Sequence, residues 1–233
     1  PTAKAGFYRD LNALQCHLWS VNGQFEAALR PIYPMMVCSG LYPMKLYWWA
    51  CGNSRIPMLG KNGILFPMDL CLMDVHPTAF ITSRCYASAH YRTKQGFMIR
   101  KIRVEEGAHI GAFGSLAPGC IIEANASLGF HVFMGLGVRV GPNASIMDGT
   151  GIVHNTTIGE RCIIGTESHL STNVTIGDRS LIGSKTNIMK DAVVGKRCRI
   201  GDNVIIGRGV KIPDNTRIPD CAVVENQEQA DKF

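Results

Sequence analysis

From Met98 to Val224 every sixth residue is aliphatic or methionine, 22 positions in succession. The run opens Met98, Val104, Ile110, Leu116 and Ile122, and closes Ile206, Ile212, Ile218 and Val224. An amphipathic helix repeats every 3.6 residues and a half-buried strand every 2, so neither explains the pattern. A period of six predicts a parallel β-helix in which each unit supplies one short strand and one corner. Three units close a coil of 18 residues, so Leu116, Met134, Ile152, Leu170, Ile188 and Ile206 are expected to stack as one interior ladder. About seven coils at roughly 4.8 Å each make a prism about 34 Å long.

A small residue stands four places after many of the aliphatic ones, as with Cys120, Cys162, Ser168, Ser180 and Cys198. Glycine often follows the aliphatic directly, as at Gly159, Gly165, Gly177, Gly183, Gly201 and Gly207. Both features fit tight corners, where a small or missing Cβ permits the bend. The repeat is placed over residues 75–224, with a short tail over 225–233.

Residues 1–74 follow different rules and form an N-terminal extension. Phe7, Leu11, Leu14, Leu18, Val21, Phe25 and Leu29 recur at steps of three and four, which predicts an amphipathic helix over about residues 5–30, ended by Pro31. An irregular apolar stretch follows, including Leu41 to Trp49, where Pro43 and Lys45 rule out a spanning helix. The extension is expected to cap the open end of the prism. Its two adjacent tryptophans, Trp48 and Trp49, also fit docking on a larger partner or peripheral contact with a membrane.

A formal net charge of +6 on 233 residues is mild, and the basic residues are dispersed beside acids. No nucleic-acid stripe results, so nucleic acid is excluded as a partner. The nine cysteines form no CxxC pair. They are read as reduced packing residues, which favours a reducing compartment.

Val140 to His154 resembles the stretch V-G-x-x-x-N-I-Q-D-G-x-x-V-H of gamma-class carbonic anhydrases, and Thr156 to Gly159 resembles the T-T-I-G that follows it. Asn215 to Pro219 matches that family's N-T-R-I-P, while Leu116 to Pro118 and Phe133 to Gly135 resemble its I-A-P and W-Y-G. The resemblance covers roughly residues 110–219. It implies a left-handed parallel β-helix, an exception to the right-handed crossover rule.

Enzymes of that family hold zinc with three histidines and keep an open water position. Carried over, the ligand positions fall on Val153, Thr166 and Ser171, none of which replaces imidazole. His154 lies one residue past the first position, and a one-residue shift in a strand turns a side chain to the other face. The family's catalytic glutamine reads Met147, although Asp148 is kept. The resemblance therefore implies a pseudo-enzyme without cofactor or metal: a structural subunit on the membrane arm of mitochondrial respiratory complex I. There it would sit peripherally on the matrix side of the inner membrane, in a homo- or heterotrimer with homologous carbonic anhydrase-like chains.

A second reading stays open: a trimeric hexapeptide acyltransferase using acyl-CoA. His154 would be its general base, since Val-His-Asn-Thr resembles the V-x-H-D-x region of sugar-amine acetyltransferases. The lack of any insertion between Met98 and Val224 stands against it. His169 is the other histidine kept as a candidate. True carbonic anhydrase activity is a third option, which stoichiometric zinc would revive.

Overall fold

The computed structural model describes residues 6–8, 65–68, 72–82 and 84–233, together with residues 24 and 28, both helical. Three parallel sheets wind into a β-solenoid of hexapeptide repeats. The first coil opens at β3 (Met73–Val75), β4 (Phe80–Ile81) and β5 (Cys85–Ser88). β2 (Leu65–Met68) pairs with β5 at the edge. The second coil resumes at β8 (Ile102–Val104), in parallel register with β3. From His109–Ile110 onward the strands are two residues long and follow every six, ending at Val223–Val224.

Register follows the 18-residue coil. Leu116 pairs with Met134, Met134 with Ile152, Ile152 with Leu170, Leu170 with Ile188 and Ile188 with Ile206. Every aliphatic of the ladder from Val104 to Val224 is buried. The prism has three outward faces, which carry Tyr86, Arg103 and Phe80 respectively. The Tyr86 face presents Ser115, Phe133, Gly151, His169, Asn187, Ile205 and Val223 in register, without a charged side chain.

The corners use the small residues differently from the expectation. The position four after the aliphatic donates inward rather than only permitting a bend. Thr150 Oγ1 donates to Gly165 O at 3.0 Å, Ser168 Oγ to Gly183 O at 2.9 Å, and Cys120 Sγ to Gly135 O at 3.2 Å. Each bond satisfies a corner carbonyl that the short strands leave unpaired. The glycine after the aliphatic is needed for close stacking: a Cβ on Gly165 would lie 2.5 Å from the Gly183 carbonyl carbon of the next coil. Backbone with φ near +60° falls one residue before the small position, at Asn143, Asn155, Asn173 and Asn215 among others, where asparagine tolerates the left-handed region.

Two expectations are corrected at the N-terminal end. Met98 is not the first rung of the ladder. It lies in β7 (Gly96–Ile99), the antiparallel partner of β6 (His90–Thr93), in a hairpin inserted between the first and second coils. The period-six match is accidental there: β7 alternates with period 2, burying Phe97 and Ile99. Nor does a helix begin near residue 5, because β1 (Gly6–Tyr8) adds antiparallel to β7. The rest of the expected helix, apart from the helical residues 24 and 28, and the Trp48–Trp49 segment lie outside the described residues. At the other end α1 (Gln227–Ala230), capped by the Asn226 side chain, buries Ala230 against the last coil. No helix among the described residues is long and apolar enough to cross a membrane.

Candidate functional site

A groove of about 550 Å³ runs between the hairpin and the Tyr86 face. Tyr91 and Phe97 line it from the hairpin, Tyr86, Phe133 and Leu136 from the prism, and His154 from the corner beyond. Tyr86, Tyr91 and Phe133 are each about half exposed, so the wall is aromatic and open to a ligand. The hairpin is the protruding segment whose absence weighed against a transferase. It lies upstream of residue 98 in all but its last two residues, which is why the uninterrupted repeat concealed it.

His154 stands two residues after Ile152. Asp148, Asp178, Asp202, Asp214 and Asp220 stand at the same place in their own units. Each Asp Oδ1 accepts the backbone N–H of the residue 18 earlier, as Asp148 does from Phe130 at 2.8 Å and Asp178 from Glu160 at 3.1 Å. His154 does the same with Nδ1, accepting from Leu136 N–H at 3.0 Å. A ring that accepts at Nδ1 is neutral and carries its proton on Nε2. That differs from the expectation of a general base, which needs Nε2 unprotonated. In this geometry His154 is a hydrogen-bond donor at Nε2, held rigidly by the corner.

His154 folds back over Gly135, where a Cβ would lie 2.7 Å from its Nδ1. His169, on the exposed side of its strand, folds back over Gly151, with its Nδ1 3.2 Å from a Cβ placed there. His131 is drawn away from both, stacked on Phe113 at 4.7 Å between centroids. Asp148 is tied to the Phe130 corner and takes no part in the groove. The Asn155 and Asn173 amides form a ladder along one corner, with Asn155 Nδ2 donating to Asn173 Oδ1 at 3.5 Å and Asn173 Nδ2 to Asp191 Oδ1 at 2.9 Å.

The positions that would hold zinc do not fit it. Val153 has no donor atom, Thr166 is exposed, and Ser171 uses its carbonyl to accept from Thr156 Oγ1 at 2.7 Å. Among the described residues no group of three or more His, Cys, Asp or Glu side chains could hold a metal ion. A polar recess of about 590 Å³ on the Arg103 face contains the ion pair of Arg139 with Glu123.

The description "Bacterial transferase hexapeptide (six repeats)" belongs to a family whose sequence model matches residues 137–172, 155–190 and 179–214. The protein is a left-handed hexapeptide-repeat β-helix. Among solved structures it is similar to the UDP-N-acetylglucosamine O-acyltransferase (LpxA) of Moraxella catarrhalis RH4. That match has 21% identity and a TM-score of 0.50, covering 72% of this chain and 64% of that one. The Francisella novicida UDP-N-acetylglucosamine acyltransferase is 12% identical at a TM-score of 0.47, over 68% of this chain and 61% of that one. A GDP-perosamine N-acetyltransferase mutant from Caulobacter crescentus, solved with CoA and GDP-perosamine, is 16% identical at 0.33, over 82% and 70%. The chain thus spans less than two thirds of the length of the first two. No curated protein matches.

These findings overturn the expectation of a pseudo-enzyme. It rested on zinc positions taken from another branch of hexapeptide proteins, whereas the family model that matches is one of bacterial hexapeptide transferases and the similar Moraxella catarrhalis structure is an acyltransferase. Acyl transfer needs proton-moving and oxyanion-binding groups rather than a zinc site, so missing ligands say nothing of lost catalysis. The carbonic anhydrase and complex I readings gain no support from these comparisons.

Proposed function

We propose that this chain is an acyltransferase that works as a trimer. It would move an acyl group from a coenzyme A thioester to a hydroxyl or amine in the groove under the hairpin. The observation that carries this reading is His154, fixed by Leu136 N–H in an aromatic groove that the β6–β7 hairpin walls off from the regular prism. A hydrogen-bond donor fixed in advance stabilises the oxygen that becomes negative as the thioester carbonyl is attacked. The His154 Nε2–H is that donor. The aromatic walls exclude water from the tetrahedral intermediate, which limits hydrolysis of the thioester. The transferase repeat and the acyltransferase neighbours support the reaction class.

Thermal unfolding with coenzyme A tests the donor, and thiol release from acyl-CoA across a panel of amines and alcohols tests the reaction. A ligand at 100 times its Kd stabilises by about 2.7 kcal/mol. No stabilisation at millimolar coenzyme A would defeat the reading. Stabilisation that survives His154→Ala, with transfer lost, fits it.

A further inference from the structure

The groove under the hairpin has aromatic walls, yet one permanent charge stands among them. Arg92 lies in β6, two residues after His90 and opposite Phe97 in the antiparallel register. Residues two apart on a strand share a face, and so do residues directly opposite across a pair. His90, Arg92 and Phe97 therefore make one wall of the hairpin, and all three line the groove. Phe97 is buried and stacks on the His90 ring at 5.6 Å between centroids, which fixes that wall. Arg92 itself is exposed. No aspartate or glutamate lines the groove with it. Among the described residues no ion pair engages Arg92, whereas Arg139, Arg161, Lys185 and Lys196 each have a carboxylate partner. A second guanidinium reinforces the field. Arg100 follows β7 and rests against Gly119 and Gly137, the residues after Pro118 and Leu136 of the groove wall. A Cβ on Gly119 would lie 3.0 Å from Arg100 Cδ, and one on Gly137 would lie 3.5 Å from its Nη1. Uncompensated positive charge beside low-polarity walls attracts an anion more strongly than the same charge in open water. The planar guanidinium fork also matches a phosphate or carboxylate with two parallel hydrogen bonds.

We propose that the acceptor taken by this groove is anionic: an amine or alcohol that also carries a phosphate or carboxylate group. Arg92 holds that group, and the rings of the groove pack against the apolar part of the molecule. Its role as acceptor rests on the acyltransferase reading; the anion site is read from the groove alone. Arg92 sets which molecule binds and touches no reacting atom.

Phenyl phosphate, a ring bearing a phosphate, is the binding probe, with benzyl alcohol as its neutral counterpart, both titrated calorimetrically. Wild type should bind phenyl phosphate at least about tenfold more tightly than benzyl alcohol, as a charge-assisted contact requires. Arg92→Gln should erase that preference. Arg92→Lys should keep part of it, because an ammonium retains the charge without the fork. Lys94→Gln removes the same charge from the adjoining turn, outside the groove, and should leave binding unchanged. Equal affinity of wild type and Arg92→Gln for phenyl phosphate would overturn the anion site, and so would an equal loss in Lys94→Gln. Kinetics then assign the anion to its molecule. With acyl-CoA and a phosphorylated amine, Arg92→Gln should raise KM for the amine at least about tenfold and leave KM for acyl-CoA unchanged. A rise confined to the KM for acyl-CoA would overturn the anionic acceptor and put a phosphate of coenzyme A on Arg92. No turnover by wild type with any amine or alcohol would overturn the acyltransferase reading, while the phenyl phosphate titration still decides the anion site.

Discussion

His154 occupies a corner position that five aspartates fill elsewhere, and this allows its structural and chemical duties to be separated by one substitution. His154→Ala leaves Leu136 N–H without its acceptor. A buried unsatisfied donor costs about 1–3 kcal/mol, and this corner is half-buried, so about 1 kcal/mol is expected. For a chain of this size that lowers Tm by about 2–4 °C. His154→Asp restores the acceptor in the form the corner uses at Asp148 and Asp202, where Oδ1 receives Phe130 N–H at 2.8 Å and Ser184 N–H at 2.6 Å. It should therefore return stability to within about 0.5 kcal/mol of the parent, the range of a harmless surface change. A carboxylate cannot donate, so transfer should stay lost. Paired urea and thermal unfolding of the three proteins, with thiol release as the activity readout, measures both halves. If the aspartate variant is as unstable as the alanine one, the corner argument is wrong. If it keeps wild-type turnover, the Nε2–H donor is not needed.

Three further outcomes follow from the prism. Ile152→Ala empties a fully buried rung between Met134 and Leu170 and should cost about 2–5 kcal/mol in urea unfolding, whereas Ile205→Ala on the half-exposed outer face should cost far less. Burial pushes the Cys120 thiol up to about 12, and the Cys85, Cys162 and Cys198 thiols are raised for the same reason, so none of the four should react with a maleimide at neutral pH. Exposed Cys221 should react at once, and labelling of Cys120 before unfolding would refute its burial. Lys196 holds the Asp178 carboxyl below its usual range, at 3.0 Å. The folded value is depressed, so the stabilisation is present above the unfolded carboxylate range near about 3.9 and fades as pH falls through the folded value. Asp178→Asn should remove a small part of the acid destabilisation. The part is small because both groups are exposed.

The prism was legible because its signal is redundant: each interior ladder is written several times over, and one weak rung such as Met134 does not blur it. The hairpin was not legible for the opposite reason. Met98 falls on the six-residue grid by coincidence, and a period of 2 over Gly96–Ile99 is too short to compete with a long run at period six. The sequence named His154 and His169 as candidates, and of the two only His154 lines the groove. Each ring folds back over a glycine of the preceding coil, His154 over Gly135 and His169 over Gly151, a signal visible in the sequence as glycines at outward strand positions. Zinc positions borrowed from carbonic anhydrases misdirected the functional expectation, since the shared repeat encodes the coil and not the chemistry.

Selectivity should then reside in the one element the repeat does not fix. Outward positions of the prism sit on a lattice set by strand spacing, so evolution can change what they are but hardly where they are. The hairpin obeys no such lattice. Tyr91 projects from it into the groove and is half exposed, facing Phe133 and Leu136 on the prism side. Removing its ring should widen the acceptor end without moving His154, which is fastened to Leu136. Tyr91→Ala is therefore expected to raise KM for the acceptor and to broaden the set of amines or alcohols accepted, leaving KM for acyl-CoA near its parent value. A rise in acyl-CoA KM instead would place the donor, not the acceptor, beneath the hairpin and would reverse the polarity of the groove.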